Sequence, residues 1–366
     1  MASPGGRVGG GLVSRILDCG EDRSNPFPGA VPVRRTDSLV WSAEVWRARL
    51  TRRYPGMMPV FRRHARAWRR SGAGPGPSTV SGRDRAVILG VAYVWNEEDV
   101  IWATVQNLFA EGADEVFVFD DGSLDDTRAE ATMAGATVIG TDRASFSETA
   151  RVELERRLVS EQTALHGNDV WWVLVDADEF PRGPDGTTIR TCVESLPPWV
   201  DVVGSRVLEH QPSDVSFYRP RTHPAASIPL ARWRSDAYCP VGHWKHQLFR
   251  VRTAQDLLPM PGSHTVASAD GRRLREAGPS LLMHHVPLRE RAATETRLRL
   301  GLEGRVRHEP HMAAKLEQRL EMLDDLYAGR FDRLPNHFFP GQRRSGLSFR
   351  DWRELVPEPE RALPQF

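Results

Sequence analysis

Three carboxylates crowd four positions of this chain: Asp176, Asp178 and Glu179 follow the apolar run Val170-Trp171-Trp172-Val173-Leu174-Val175. In extended backbone Asp176 and Asp178 point to the same side, about 7 Å apart at a rise of ~3.3 Å per residue. Such a pair can seat a hard divalent cation, Mg²⁺ or Mn²⁺, which takes carboxylate oxygens and keeps room for phosphate. An acidic turn at a strand end is common by itself, so metal chemistry needs partners elsewhere in the chain.

Two further acidic loops supply them. Residues 86–94 form a β-rich apolar run ending in Trp95-Asn96-Glu97-Glu98-Asp99, and residues 115–119 form another ending in Asp120-Asp121-Gly122-Ser123. Carboxylates in the first loop would repel phosphate. They suit hydrogen-bond donors, such as a nucleobase imide or ribose hydroxyls. Lysine occurs only at Lys245 and Lys315. Phosphate charge must then be balanced by arginine, by helix N-termini or by a bound cation, for which Asp176 and Asp178 offer the seat.

The elements that position these loops follow from periodicity. A short, continuously apolar run such as 170–175 reads as a strand buried on both faces, and open α/β sheets bind ligands at the carboxyl ends of such strands. Val100, Ile101, Val105, Leu108 and Phe109 recur at helical spacing after the first strand. Asp125-Asp126-Thr127 starts a second helix, with Asp or Ser available as its N-cap. Residues 137–140 read as a short strand and 146–165 as a long helix. This alternation predicts an α/β fold with a doubly wound, mostly parallel sheet. A dinucleotide-binding dehydrogenase would carry a Gly-rich turn after the first strand, and 95–98 contains no glycine. No P-loop is present. Phosphatases with Asp-x-Asp after their first strand continue with threonine, which does not match either.

Taken together, residues 86–180 resemble the nucleotide-binding half of a family-2 glycosyltransferase with the GT-A fold. The resemblance rests on Asn96-Glu97, on Asp120-Asp121-Gly122-Ser123-Leu124-Asp125-Asp126-Thr127 and on Asp176-Ala177-Asp178-Glu179-Phe180, in that order. The last is similar to a subgroup with an Asp-x-Asp-Glu-Phe metal motif. The resemblance implies that Asn96, Glu97, Asp120, Asp121 and Asp176 hold the base and ribose of a nucleotide sugar. It implies that Asp178 ligates the metal, with Asp176 facing ribose or sharing that ion. A cation acting as a Lewis acid would stabilise the departing nucleoside diphosphate, and members of the family generally invert the anomeric centre.

Beyond a predicted strand at 202–208, periodicity fades over 209–238, where proline, serine and arginine predict an irregular acceptor-side loop. Gly242-His243-Trp244-Lys245-His246 then runs into a β-like segment. The look-alike subgroup carries a lysine here, so Lys245 would touch donor phosphates or the acceptor; a solvated face is the alternative. His264 and one of His284 and His285 are candidates for a further metal ligand, which spacing does not separate from structural histidines. Asp236, Glu209 and Asp214 are candidate general bases by position alone.

The flanks differ in composition. Residues 1–84 form an N-terminal extension, Gly/Pro/Ser-rich at 1–11 and 71–82, with a basic, aromatic helical stretch at 42–70. That stretch could lie on an anionic membrane surface or pack on the rest of the chain. Residues 85–290 are expected to be the GT-A domain, and 291–366 a helical C-terminal extension with Met312, Leu316, Leu320, Leu323 and Tyr327 on one face. No apolar run approaches the ~20 residues that span a bilayer. Three cysteines without metal spacing suit a reducing cytosol, so a cytoplasmic location is expected, with peripheral contact at the inner membrane face through 42–70 as a variant. A net charge of +1 gives no support for nucleic-acid binding.

The expected function is transfer of a sugar from a nucleoside-diphosphate sugar, a UDP-sugar favoured, to an unknown acceptor hydroxyl with a divalent cation as cofactor. A non-catalytic domain binding sugar nucleotides or glycans is one alternative, and a sugar nucleotidyltransferase another. The nucleotidyltransferase would need a glycine-rich, cationic first loop that 95–98 does not supply.

Overall fold

The computed structural model describes residues 85–140, 148–213, 218–233, 245–253, 256–260, 265–276, 280–305, 310–330 and 349–366. The basic stretch at 42–70, Asp214, Asp236 and His264 lie outside the described residues.

The first half is built by alternation. Strand β1 (Val87–Val94) leads through helix α1 (Ile101–Ala110) to β2 (Glu115–Asp120), then through α2 (Thr127–Met133) to β3 (Thr137–Gly140), and through α3 (Glu148–Leu165) to β4 (Val170–Asp176). Ile88, Ala92 and Val94, Val116 and Val118, and Trp171, Val173 and Val175 share one core with Ile101, Val105 and Leu108 of α1. The alternate residues turn to the opposite face, where the Trp172 indole donates to Thr163 Oγ1 of α3 at 3.0 Å and its ring stands 6.4 Å from Phe117. Burial on both faces explains why these strands are continuously apolar.

These strands pair in the order β3-β2-β1-β4, all parallel. The chain steps outward from β1 to β3 and returns to the other side of β1, which opens a crevice at the carboxyl ends of β1 and β4. Register brings those ends level: Tyr93 lies opposite Asp176, and Val94 opposite Asp120.

The second half is mixed. It comprises β5 (Glu179–Arg182), α4 (Ile189–Ser195), β6 (Val202–His210), α5 (Pro224–Ser227), β7 (Leu230–Trp233), β8 (Lys245–Val251), the small pair β9 (Leu257–Pro259) and β10 (Val266–Ser268), and β11 (Leu281–His285). Strand β8 fits antiparallel between β4 and β6, while β11 runs parallel to β6 and antiparallel to β5. Within the stretch read as an irregular loop over 209–238, the described residues include regular structure. There β6 continues to His210, and the four-residue β7 pairs antiparallel with it. So short an edge strand has no periodicity of its own to read; its partners define it. Cys192 of α4 is buried, and burial pushes its thiol up to about 11, so it packs as a small apolar group.

The C-terminal region holds α6 (Arg291–Arg305), α7 (Pro310–Glu321), α8 (Leu323–Tyr327), β12 (Arg350–Asp351) and α9 (Trp352–Leu355). Where one amphipathic helix was expected, the chain breaks at Met322, and Gly329 with φ +67° follows α8. The last segment is threaded into the domain. Strand β12 extends the ten-stranded sheet beyond β7, and Trp352 is fully buried among Leu208, Ala225, Ala231 and Leu282. The buried Glu360 carboxylate meets Arg206 at 2.6 Å and accepts from the Asp185 backbone at 3.1 Å. No helix among the described residues is long and apolar enough to cross a membrane.

Candidate functional site

At the carboxyl edge, the loops after β1 and β2 fasten to each other. The Asn96 amide donates to Ser123 Oγ at 2.8 Å, and Asn96 Oδ1 accepts from the Leu124 amide at 2.8 Å. The Glu97 amide donates to Thr127 Oγ1 at 2.8 Å, and Glu98 accepts from the Asp126 amide at 2.8 Å. Asp125 turns back onto the Thr127 amide at 3.1 Å. Asn96 adopts φ +52°, a conformation asparagine tolerates better than most residues. Much of the Asn-Glu and Asp-Asp-Gly-Ser-x-Asp-x-Thr pattern is therefore mutual hydrogen bonding that fixes a rigid rim. Asp120, fully buried, meets Arg128 at 3.0 Å. The neighbouring Asp121 is buried and bonded to Tyr93, whose phenol is raised by burial first and then by that carboxylate. Arg151 of α3 lies 4.9 Å over the Tyr93 ring.

The acidic motif straddles a turn. Asp176 ends β4, Ala177 and Asp178 form the turn, and Glu179 opens β5, so Asp178 does not continue the strand as the extended spacing assumed. The two aspartates face different cations. Asp176 Oδ2 lies 3.8 Å from Lys245 Nζ, and Asp178 Oδ1 lies 3.6 Å from His285 Nε2. Glu179 is the buried member of the motif. It accepts from Lys245, from Gln247 Nε2 at 2.8 Å and from the Asp176 amide at 3.2 Å. Lys245, itself buried, is held inside by that carboxylate.

The histidines separate by strand parity. His285 lies opposite Glu179 on β5 and Glu209 on β6, and its Nδ1 is 2.9 Å from Glu209 Oε2. His284, one residue earlier, turns into the core: its Nδ1 is 2.9 Å from His210 Nε2, and its ring meets His223 and Trp352 edge-on at 5.3 and 4.8 Å. Of the two, His285 is thus the one at the acidic edge. Burial alone would lower His285, but Glu209 and then Asp178 outweigh it and raise it to about 8. Burial likewise works against ionised Asp178, yet His285, Arg289 and Arg297 hold it below the usual carboxylate range.

Glu97 lies beside this centre as a bracket. Its carboxylate accepts from both Arg289 and Arg297, contributed by the segment after β11 and by α6. Arg289 also grips Asp99 at 2.7 and 2.9 Å. The sequence reading did not single out these arginines, since two among many in an Arg-rich chain carry no local signal. Nor did it give Glu179 a task, although a third carboxylate in the motif with a lone lysine downstream was the available clue.

Can these residues hold a divalent ion? Among the described residues no three His, Cys, Asp or Glu side chains converge as a closed metal site. Asp178 Oδ1 and His285 Nε2, 3.6 Å apart, can both lie about 2.1 Å from one ion. Glu209 on Nδ1 orients the ring, the arrangement that metal-bound imidazoles usually show. Two protein donors suit a cation that completes its shell with phosphate oxygens and water.

No protein-family model and no curated protein matches the chain. Among solved structures, a mycobacterial protein is similar over 37% of this chain and 46% of its own, at 25% identity and a TM-score of 0.26. Glucosyl-3-phosphoglycerate synthase from Mycobacterium tuberculosis with Mg²⁺ and UDP is similar over 33% of this chain and 44% of its own, at 21% identity and a TM-score of 0.24. The same enzyme with Mn²⁺, UDP-glucose and phosphoglyceric acid gives 36% and 49% coverage, 20% identity and a TM-score of 0.25. The chain spans less than half the length of each, so its α/β class rests on its own strand order.

Proposed function

We propose that the chain is a metal-dependent glycosyltransferase that moves a sugar from a nucleoside-diphosphate donor, a UDP-sugar favoured, to an acceptor hydroxyl with inversion. One observation carries this reading: Asp178, in the turn after β4, and His285, at the end of β11, present two donor atoms 3.6 Å apart. Asp120 and Asp176 end β2 and β4 on either side of β1, one position apart in register, at the carboxyl edge where open α/β sheets bind ligands.

Asp178 and His285 would hold Mg²⁺ or Mn²⁺, which supplies charge stabilisation to the departing diphosphate. Asn96, Asp120, Asp121 and Asp176 would form the nucleoside side; Glu97, expected there as well, has both oxygens taken by Arg289 and Arg297. Glu179 fixes Lys245 beside Asp176, so one positive charge stays at the crevice without a flexible lysine. Glu209, bonded to His285 Nδ1 at 2.9 Å, and Asp214 and Asp236 are the candidates for the proton acceptor.

A panel of nucleotide sugars with Mn²⁺ or Mg²⁺ tests this, reading release of free sugar and nucleoside diphosphate. The expected result is metal-dependent hydrolysis of one donor class, abolished in Asp178→Ala while circular dichroism shows that the variant is folded. Pyrophosphate release from a nucleoside triphosphate and sugar phosphate, or metal-independent turnover, would overturn it.

A further inference from the structure

Resting on that reading, we infer that Arg297 of α6 binds the diphosphate of the donor, with Glu97 and Arg289 as positioning residues. The two arginines share one carboxylate but are not equivalent. Arg289 is 3% exposed and closed: it bonds Glu97, both oxygens of Asp99 and the Val286 carbonyl. Arg297 is 17% exposed, and its hydrogen bonds run to Glu97 and, at 2.7 Å, to the Pro287 carbonyl. A guanidinium carries five N–H donors; with one N–H to each of those partners, Arg297 keeps others to offer.

The surroundings point the same way. The Val286 amide donates to the Asp178 carbonyl at 2.9 Å and Arg297 donates to the adjoining Pro287 carbonyl, so one short segment ties Arg297 to the Asp178 turn, where the other cations are His285, Lys245 and Arg289. His285 is matched to Glu209, Lys245 to Glu179, and Arg289 to Asp99 as well as Glu97. Arg297 shares its carboxylate and has the most accessible fork of the two guanidinium groups. A planar fork suits phosphate oxygens better than a buried ammonium does. Glu97 itself, with both oxygens occupied by arginines, holds the fork in place and presents no vacant edge to phosphate. Helix α6, beyond the expected domain boundary at 290, would then contribute directly to donor binding.

The test compares UDP with uridine on the full chain in the presence of Mn²⁺, by calorimetry for UDP and ligand-observed NMR for uridine. Arg297→Ala is expected to weaken UDP about tenfold or more while leaving uridine unchanged, as loss of a charge-assisted hydrogen bond requires. Arg297→Lys, which keeps charge without the fork, should lie between. UDP affinity within about threefold of wild type in Arg297→Ala overturns the inference. So does a parallel fall for UDP and uridine, which marks a structural prop. A wild-type chain that binds no UDP with Mn²⁺ overturns both this inference and the function on which it rests. Wild-type binding with an unaffected variant overturns this inference alone.

Discussion

His285 Nδ1 lies 2.9 Å from Glu209 Oε2, and the two residues face each other in the parallel register of β11 and β6. The bond fixes which ring nitrogen points at Asp178. Glu209→Gln keeps an acceptor but removes the charge, so Mn²⁺ affinity in the presence of UDP should drop about 10- to 100-fold. Calorimetric titration of Mn²⁺ checks this. A variant with unchanged metal affinity but lost turnover would instead place Glu209 in proton transfer to or from the acceptor.

Lys245 and Glu179 form a buried pair, and removing one partner leaves the other charged inside the sheet. Lys245→Met should cost on the order of 3–5 kcal/mol of stability, read as a lower urea midpoint. Lys245→Met combined with Glu179→Gln should recover much of that loss, because no uncompensated charge remains. A Lys245→Met protein as stable as wild type would show that the pair is not held in the folded state.

Three buried imidazoles make the fold sensitive to acid. His210 is lowered to about 4 by burial, and His223 and His284 are lowered well below their ordinary value by the same cause. The unfolded chain takes up these protons near pH ~6.5, while the folded chain resists down to about pH 4 for His210. In that window the unfolded state binds more protons, so stability rises with pH. The contribution is complete above pH ~6.5 and is lost as pH falls toward the folded value, about 3 kcal/mol for His210 alone at ~1.4 kcal/mol per unit. Urea titrations between those limits should show the slope, and His223→Phe, a residue that already packs 4.9 Å from Phe180, should reduce it. An unchanged slope would contradict burial of a neutral His223.

Thr127→Val removes the acceptor for the Glu97 amide and should cost about 1–3 kcal/mol. Because that bond seats the bracket for Arg289 and Arg297, KM for the donor should rise more than kcat falls. Steady-state kinetics on the donor found by the panel would separate the two. A selective loss of kcat would place Thr127 in the chemical step instead.

Strands whose neighbours cover both faces were legible in the sequence, since burial on two sides demands continuous apolar residues; β1, β2 and β4 are of this kind. The rim loops were legible as motifs, but not the task of Ser123, Asp125 and Thr127, whose side chains accept from the Asn96, Glu98 and Glu97 amides across the two loops. Strand β7 and the Trp352 segment were not legible, because Leu230–Trp233 and Arg350–Asp351 are too short to show a period and exist through their pairing. The choice between His284 and His285 depended on knowing that β11 is a strand. The arginines on Glu97 come from 192 and 200 positions away, a separation no local pattern encodes.

The one-residue distance between His284 and His285 has an evolutionary consequence. Strand β11 presents opposite functions on its two sides, so a slip by a single position would exchange the imidazole at the acidic edge for the one in the core. Insertions and deletions in descendants of this gene should therefore be excluded from 281–285, and from the segment just after it that carries Arg289 to Glu97. The same limit applies to anyone redesigning this edge: parity through 281–285 must be kept.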